Sequence, residues 1–245
     1  MPRRHLHIDA AKVLASHLIV LHHLTVYGPL AYALDLAAPR LTDFFFEYAR
    51  MAVQVFLVIG GYFSASSLAP HGHLQFSHLI RRVGRRYVRL VLPFSVALLL
   101  VIAGSAVARG ALQSEFIPAA PGLWQLLAHA GLVQGVLGVE PLSIGIWYVA
   151  IDFQLYVLMA FLLWLGGRQA QWLVALVALV ALASLLVFNL QADGDNWAPY
   201  FFGAYGMGAF AWWAGHSRQA DLRLAALAGV GILALLWDFR LRILL

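Results

Sequence analysis

After its opening His7, the stretch HIDAAKVLASHLIVLHHL, His7 to Leu24, carries five more side chains that could do acid-base or anion chemistry: Asp9, Lys12, His17, His22 and His23. The residues around them are otherwise almost all apolar. Eleven positions separate Lys12 from His23. At about 100° per residue a helix returns both to one face, about 16 Å apart along its axis. Asp9 and Ser16 join that stripe through i, i+3 and i, i+4 spacings, whereas His22 points elsewhere. A neutral imidazole set that deep suits the removal of a proton from a hydroxyl. Lys12 could hold an anion, or pair with Asp9 near an interface while its stem snorkels.

A second constellation lies in WYVAIDFQLYVLM, where Tyr148, Asp152 and Tyr156 are four apart and share a helix face, with Gln154 pointing away. Asp152 is the one acid well inside a predicted span. A carboxylate beside His23 would fix the imidazole tautomer and raise its basicity. Depth permits the meeting if the two helices enter from opposite sides, because Asp152 then lies about 10 Å below the surface that His23 approaches to within about 7 Å. The competing role for Asp152 is an interhelical hydrogen bond used for packing.

A third is the arginine-rich HLIRRVGRRYVRLVLP, which sets Arg81, Arg85 and Arg89 at i, i+4, i+8 with Arg82 and Arg86 beside them, and which is predicted to end at Pro93. Such a cluster binds anions, either lipid headgroups or a phosphate-bearing cofactor. In EYARMAVQVFLVIGGYFSASS, Glu47, Arg50 and Gln54 form another polar stripe. Gly60, Gly61 and Ser64 there have the spacing of close helix packing.

The elements that must carry these groups follow from composition. Of 245 residues 62% are hydrophobic and 11% charged, with a mean hydropathy of +0.81, against about 25% charge in an average soluble domain. The chain reads as all-α, a polytopic helical membrane bundle. Spans are predicted near 10–28, 44–66, 88–107, 145–165, 171–189, 199–215 and 222–239, with residues 124–138 read as an interfacial or re-entrant helix that could yet be an eighth crossing. The basic residues Arg3, Arg4 and Lys12 and the arginine cluster put the N-terminus in the cytoplasm. If the short helix at 124–138 does not cross, Arg168, Arg218 and Arg223 share that side, with Asp35, Asp43, Glu115, Glu140, Asp193 and Asp195 opposite.

Without cysteine there is no disulfide framework and no thiolate nucleophile, and no metal is expected. The net charge of +5 reports orientation and lipid contact rather than nucleic acid. The polar interruptions of the first apolar run do not fit a cleaved signal peptide, and no repeat or soluble domain divides residues 1–245.

In this order the motifs resemble the acyltransferase 3 family of multi-pass membrane acyltransferases. Asp9, Lys12 and His23 match its first-helix pattern, with lysine where arginine is usual; that keeps the charge but loses the bidentate fork. VFLVIGGYFSAS resembles its second helix, with Gly60 in a serine place and Gln54 where an acid is common. RRYVRLVLP resembles its arginine-rich turn, and Trp147, Asp152 and Tyr156 its tryptophan, glutamate and tyrosine helix.

The resemblance implies an enzyme of the bacterial inner membrane that moves an acyl group, acetyl foremost, from acyl-CoA to a hydroxyl of a surface glycan or lipid-linked sugar. Against the family's usual length, the resemblance further implies that this chain, which stops at Leu245, lacks the last helices. His23 and Asp152 would be catalytic, with the cofactor's phosphates on Lys12, Arg81, Arg82, Arg85, Arg86 and Arg89. Gln54, Trp147, Tyr148 and Tyr156 would shape the substrate pocket. Two other readings stay open: a transporter whose Lys12, His23 and Asp152 relay protons, and an inactive short homologue.

Overall fold

A backbone in hydrocarbon must satisfy its own N–H and C=O groups, and in this chain it does so with helices. The computed structural model describes residues 6–26, 28–72, 79–112, 117–167, 169–191 and 194–237, and no strand occurs among them. Its α-helices are α1 (Leu6–Val26), α2 (Gly28–Ala37), α3 (Pro39–Glu47), α4 (Val53–Leu68), α5 (Leu79–Ala111), α6 (Leu123–Ala130), α7 (Trp147–Leu165), α8 (Ala170–Leu186), α9 (Ala198–Gly215) and α10 (Ala220–Trp237). Short 3-10 turns lead into α4 (Ala49–Ala52) and α7 (Ile144–Ile146) and follow α8 (Phe188–Leu190).

Four stretches are long and apolar enough to cross a membrane: Pro39–Leu68, Leu79–Ala111, Ile144–Leu165 and Gln171–Leu190. Helices α1 and α2 pass the same test only as a sharply bent pair. The expected spans at 199–215 and 222–239 exist as α9 and α10 but fall short of that test. Helix α9 owes this to its glycines, tyrosines, tryptophans and Pro199, which pack well yet lower its mean hydropathy. Arg3, Arg4, Glu115, Arg168 and Asp193, used above to orient the chain, lie outside the described residues. At 8 residues, α6 is too short to cross.

One boundary differs from expectation in a way that matters for the site. The arginine segment does not end at Pro93; it forms the first turns of α5, which runs 33 residues through that proline. At about 1.5 Å per residue α5 is about 50 Å long, well over the roughly 30 Å hydrocarbon thickness, so its arginine end can stand in the interface. A proline inside a helix removes one i to i−4 hydrogen bond, and flanking helical turns tolerate that loss in a membrane.

The core forms around α9, which packs against α4, α8 and α10. Phe202, Tyr205 and Ala209 of α9 are fully buried, together with Leu57 and Ala65 of α4 and Leu155, Met159 and Leu163 of α7. Helices α4 and α9 touch backbone to backbone. A Cβ on Gly61 would lie 1.7 Å from the Tyr205 carbonyl oxygen, and one on Gly208 would lie 1.9 Å from that of Val58. Ser64 and the Tyr205 hydroxyl hydrogen-bond at 2.5 Å across the same contact. Farther along, the indoles of Trp212 and Trp213 donate to the Pro70 and Ala69 carbonyls at 3.1 and 2.8 Å, tying down the end of α4.

Gly61→Ala is therefore expected to force these helices apart and to cost about 1–3 kcal/mol or more. Thermal unfolding in detergent checks this, and an unchanged midpoint would contradict the close approach.

Candidate functional site: an arginine cavity and a histidine cavity on one seam

Helices α4, α5 and α7 enclose a cavity of about 340 Å³ lined by Arg82, Arg85, Arg86 and Arg89, the serines at the end of α4, Phe63 and Tyr156. Four guanidiniums face one space because α5 is continuous there, so that i, i+3, i+4 and i+7 positions share a face. Arg82 donates to the Ser67 carbonyl. The stripe read from the sequence was Arg81, Arg85 and Arg89; Arg81 is exposed and does not line the cavity. The register shifts because Arg82 and Arg86 turn inward, toward the carbonyls of α4 and the acid of α7.

Arg86 leads to a larger correction. Its Nη2 donates to both oxygens of Asp152, at 2.8 and 2.6 Å, and its guanidinium carbon lies 5.4 Å from the centroid of the Tyr156 ring. This is the one ion pair among the described residues. Asp152, expected to brace His23, is instead committed to a guanidinium. The pairing was invisible in the sequence because its partner comes from α5, 66 positions away. Gly60 clears space for the acid: a Cβ there would lie 3.5 Å from Asp152 Oδ1 and 3.0 Å from the Tyr205 ring.

Lys12 does not pair with Asp9. Its Nζ sits 5.0 Å from the centroid of the Phe63 ring, beside the arginine cavity that Phe63 lines. There it adds positive potential without occupying the cavity.

A second cavity, about 650 Å³, lies between α1, the start of α4 and the start of α7. His23, His22, Arg50, Phe56, Trp147 and Tyr148 line it. His23 Nε2 faces the entry to α7, where a Cβ on Gly145 would lie 3.7 Å from it. His22, assigned from its helical phase to another face, borders the same space. Its Nδ1–H donates to the Phe45 carbonyl at 3.3 Å, which fastens α1 to α3. Arg50 also faces this cavity, a role that its place on the Glu47–Gln54 stripe did not indicate.

Two residues expected near His23 lie elsewhere. Gln54 lines an apolar groove of about 520 Å³ with Val58, Phe201 and Met207. Tyr156 belongs to the arginine cavity. For Tyr156 the neighbouring helices decide which cavity its face meets, whereas the stripe that joined Gln54 to Glu47 and Arg50 is broken, since α3 ends at Glu47, Arg50 lies in a 3-10 turn and α4 begins at Val53.

The two cavities are ends of one seam. Helix α1 runs from Lys12 beside the arginines to His23, about 16 Å. Helix α4 runs antiparallel from Phe56 at the histidine to Phe63 at the arginines, about 10 Å, and α7 from Tyr148 to Tyr156, about 12 Å. The Arg86–Asp152 pair stands one helical turn from each of those tyrosines. Chemically the arginine cavity can take an anion and the histidine cavity offers an imidazole, with Phe63 and Tyr156 lining the first and Phe56, Trp147 and Tyr148 the second. Among the described residues no group of three or more His, Asp or Glu is arranged to hold a metal ion.

Sequence reasoning missed one further polar residue. Gln134, in the turn after α6, is 2% exposed, and neither amide atom has a hydrogen-bond partner among the described residues. An unpaired buried amide costs about 1–3 kcal/mol. Nothing in its flanking residues separates it from an ordinary loop glutamine.

The chain matches no curated protein and no solved structure. The acyltransferase 3 family model, described as an Acyltransferase domain, matches residues 5–241, nearly the whole chain. Apolar membrane-length helices and this match together make the chain a membrane protein belonging to the acyltransferase 3 family.

Proposed function

We propose that the protein is an O-acyltransferase of the bacterial inner membrane, passing an acyl group, acetyl foremost, from acyl-CoA to a hydroxyl of a surface glycan or lipid-linked sugar. The observation that carries this reading is the seam, on which three helices each link the arginine cavity to the histidine cavity. In the proposed orientation the chain crosses seven times with its N-terminus and the arginine end of α5 in the cytoplasm.

Arg82, Arg85 and Arg89, with Lys12 nearby, hold the donor's phosphates through charge-assisted hydrogen bonds. The thin arm of the donor follows the seam and sets its thioester near His23. The imidazole takes the proton from the acceptor hydroxyl as its oxygen attacks the thioester carbonyl. The carbon–sulfur bond breaks, the departing sulfur receives a proton, and an ester remains on the acceptor. Phe56, Trp147 and Tyr148 wall the reacting groups from bulk water. Asp152 acts through Arg86: it neutralises one guanidinium inside the bundle and fixes its direction.

Purified protein in liposomes supplies the test. Acyl-CoA-dependent modification of a sugar supports the enzyme, whereas proton-coupled flux that needs no acyl-CoA would replace it with a transporter. Replacing Arg85 and Arg89 together by glutamine is expected to raise KM for acyl-CoA about tenfold while leaving kcat nearly unchanged. Acyl-pantetheine, which lacks the nucleotide phosphates, should be used equally well by both forms. An equal loss with either donor would show that these arginines do not read phosphate.

A further inference from the structure

Helices α8, α9 and α10 leave between them a groove of about 490 Å³ whose lining is apolar but for one charge. Each helix gives it one face: Val174 to Leu185 of α8, Met207 to Ala214 of α9 and Arg223 to Val230 of α10. The space exists because α10 leans on α9 and scarcely meets α8, and because Ala178, Ala181 and Ala226 stand where larger side chains would close it.

The groove has a direction. Arg223, its only charged lining residue, stands at one end, in the first turn of α10. Trp213 stands at the same end, and its indole donates to the Ala69 carbonyl at the end of α4, whose serines line the arginine cavity. The charged end of the groove therefore lies at the arginine end of the bundle, the end that stands in the interface. From there the face of α8 between Val174 and Leu185 runs about 16 Å inward, against about 15 Å of hydrocarbon in one leaflet.

Charge then selects the occupant. Arg223 is exposed, and the one ion pair among the described residues is that of Arg86 with Asp152, so no acid pairs with it there. A cation in the first turn of a helix adds to the partial positive charge of the helix end, so both favour an anion. Asp221 shares that turn but, two positions away and about 200° round the helix, does not line the groove. An anion at interface depth, joined to an apolar body one leaflet long, is a phospholipid with an acidic headgroup.

We propose that this groove holds one acyl chain of an anionic phospholipid from the leaflet on the arginine side, with its phosphate on Arg223, and that the lipid fills the gap which α10 leaves beside α8. The groove shares no lining residue with the arginine cavity. Lipid binding here stands apart from acyl transfer and needs no donor.

Phosphatidylglycerol and phosphatidylcholine, each with a photoreactive acyl chain, test this in trace amounts in phosphatidylcholine liposomes that carry the protein and no acyl-CoA, with the crosslinks mapped by mass spectrometry. Phosphatidylglycerol is expected to mark groove residues such as Ala178, Met207 and Ala226 about fivefold more than phosphatidylcholine does, the discrimination that one cation gives near an anionic headgroup. Arg223→Gln should bring the two lipids level in the groove, and Arg223→Lys, which keeps the charge, should retain the excess. Ala226→Phe, at an exposed position, should remove groove marking by either lipid while the outward residues Ile232 and Leu233 are marked as before.

Equal marking of the groove by both lipids overturns the site, as does an excess that Arg223→Gln leaves unchanged. A photoreactive fatty acid that marks the groove as strongly as phosphatidylglycerol would assign it to a free carboxylate, and a groove that no lipid marks would assign it to a protein surface. Either result overturns the phospholipid, and neither touches the acyl-transfer reading.

Discussion

His23→Ala is expected to lower acyl transfer by about 10²- to 10⁴-fold, the usual contribution of a positioned general base, with little change in KM for acyl-CoA. The separation follows from the helices: Lys12, beside the arginine cavity, lies about 16 Å from the imidazole along α1, so removing the ring leaves that cavity intact. The substitution should fold, since His23 is only partly buried and α1 makes few core contacts, with Ala15 its one buried residue. Membrane insertion and thermal unfolding of the variant are measured beside its kinetics. Retained turnover in a well-folded variant would remove His23 from the chemistry. His22→Ala is the matched control, because it borders the same cavity and should cost far less.

Asp152→Ala is expected to destabilise the folded protein by about 1–3 kcal/mol, because it leaves the partly buried Arg86 guanidinium without its counter-charge. Removing both partners, as in Asp152→Leu with Arg86→Met, should restore most of that loss, since a buried ion pair contributes little more than well-packed apolar groups of similar volume. A double-mutant cycle on thermal or denaturant unfolding in detergent measures the coupling, and additive losses would contradict the pairing. The cycle also separates the two roles considered for this acid. Were Asp152 the brace of His23, Asp152→Asn would lose turnover with stability kept; in the ion-pair role stability falls with it.

How far the sequence revealed this arrangement depended on whether one helix or several carried the information. The Lys12 to His23 spacing was legible because α1 is continuous and a helical wheel needs nothing else. Close packing at Gly61 was legible for the same reason, as small residues one turn apart signal a tight helix contact before the partner is known. The partner of Asp152 was not legible, since it rests on which helix packs beside α7 and at what depth. Tyr156 was misplaced on the same ground, pointing as predicted but into a different cavity, while Gln54 was misplaced because a 3-10 turn at Ala49–Ala52 breaks the helix on which its stripe was drawn. Pro93 misled as a boundary because in a membrane bundle a proline can sit within a long helix. Gln134 could not have been found at all, because an unpaired amide is a property of its surroundings and not of its neighbours in the chain.

The central claim is that one acyl donor spans the seam, with phosphates at the arginines and thioester at His23. Photolabelling from each end tests it directly, using one acyl-CoA with a photoreactive group on the acyl chain and another with the group on the adenine, each mapped by mass spectrometry of the labelled protein in liposomes. The account predicts that the acyl end marks residues around His23, such as Phe56 and Tyr148, while the adenine end marks the region of Arg85 and Arg89. Both ends marking a single cavity, or the acyl end marking the apolar groove beside Gln54, would contradict it.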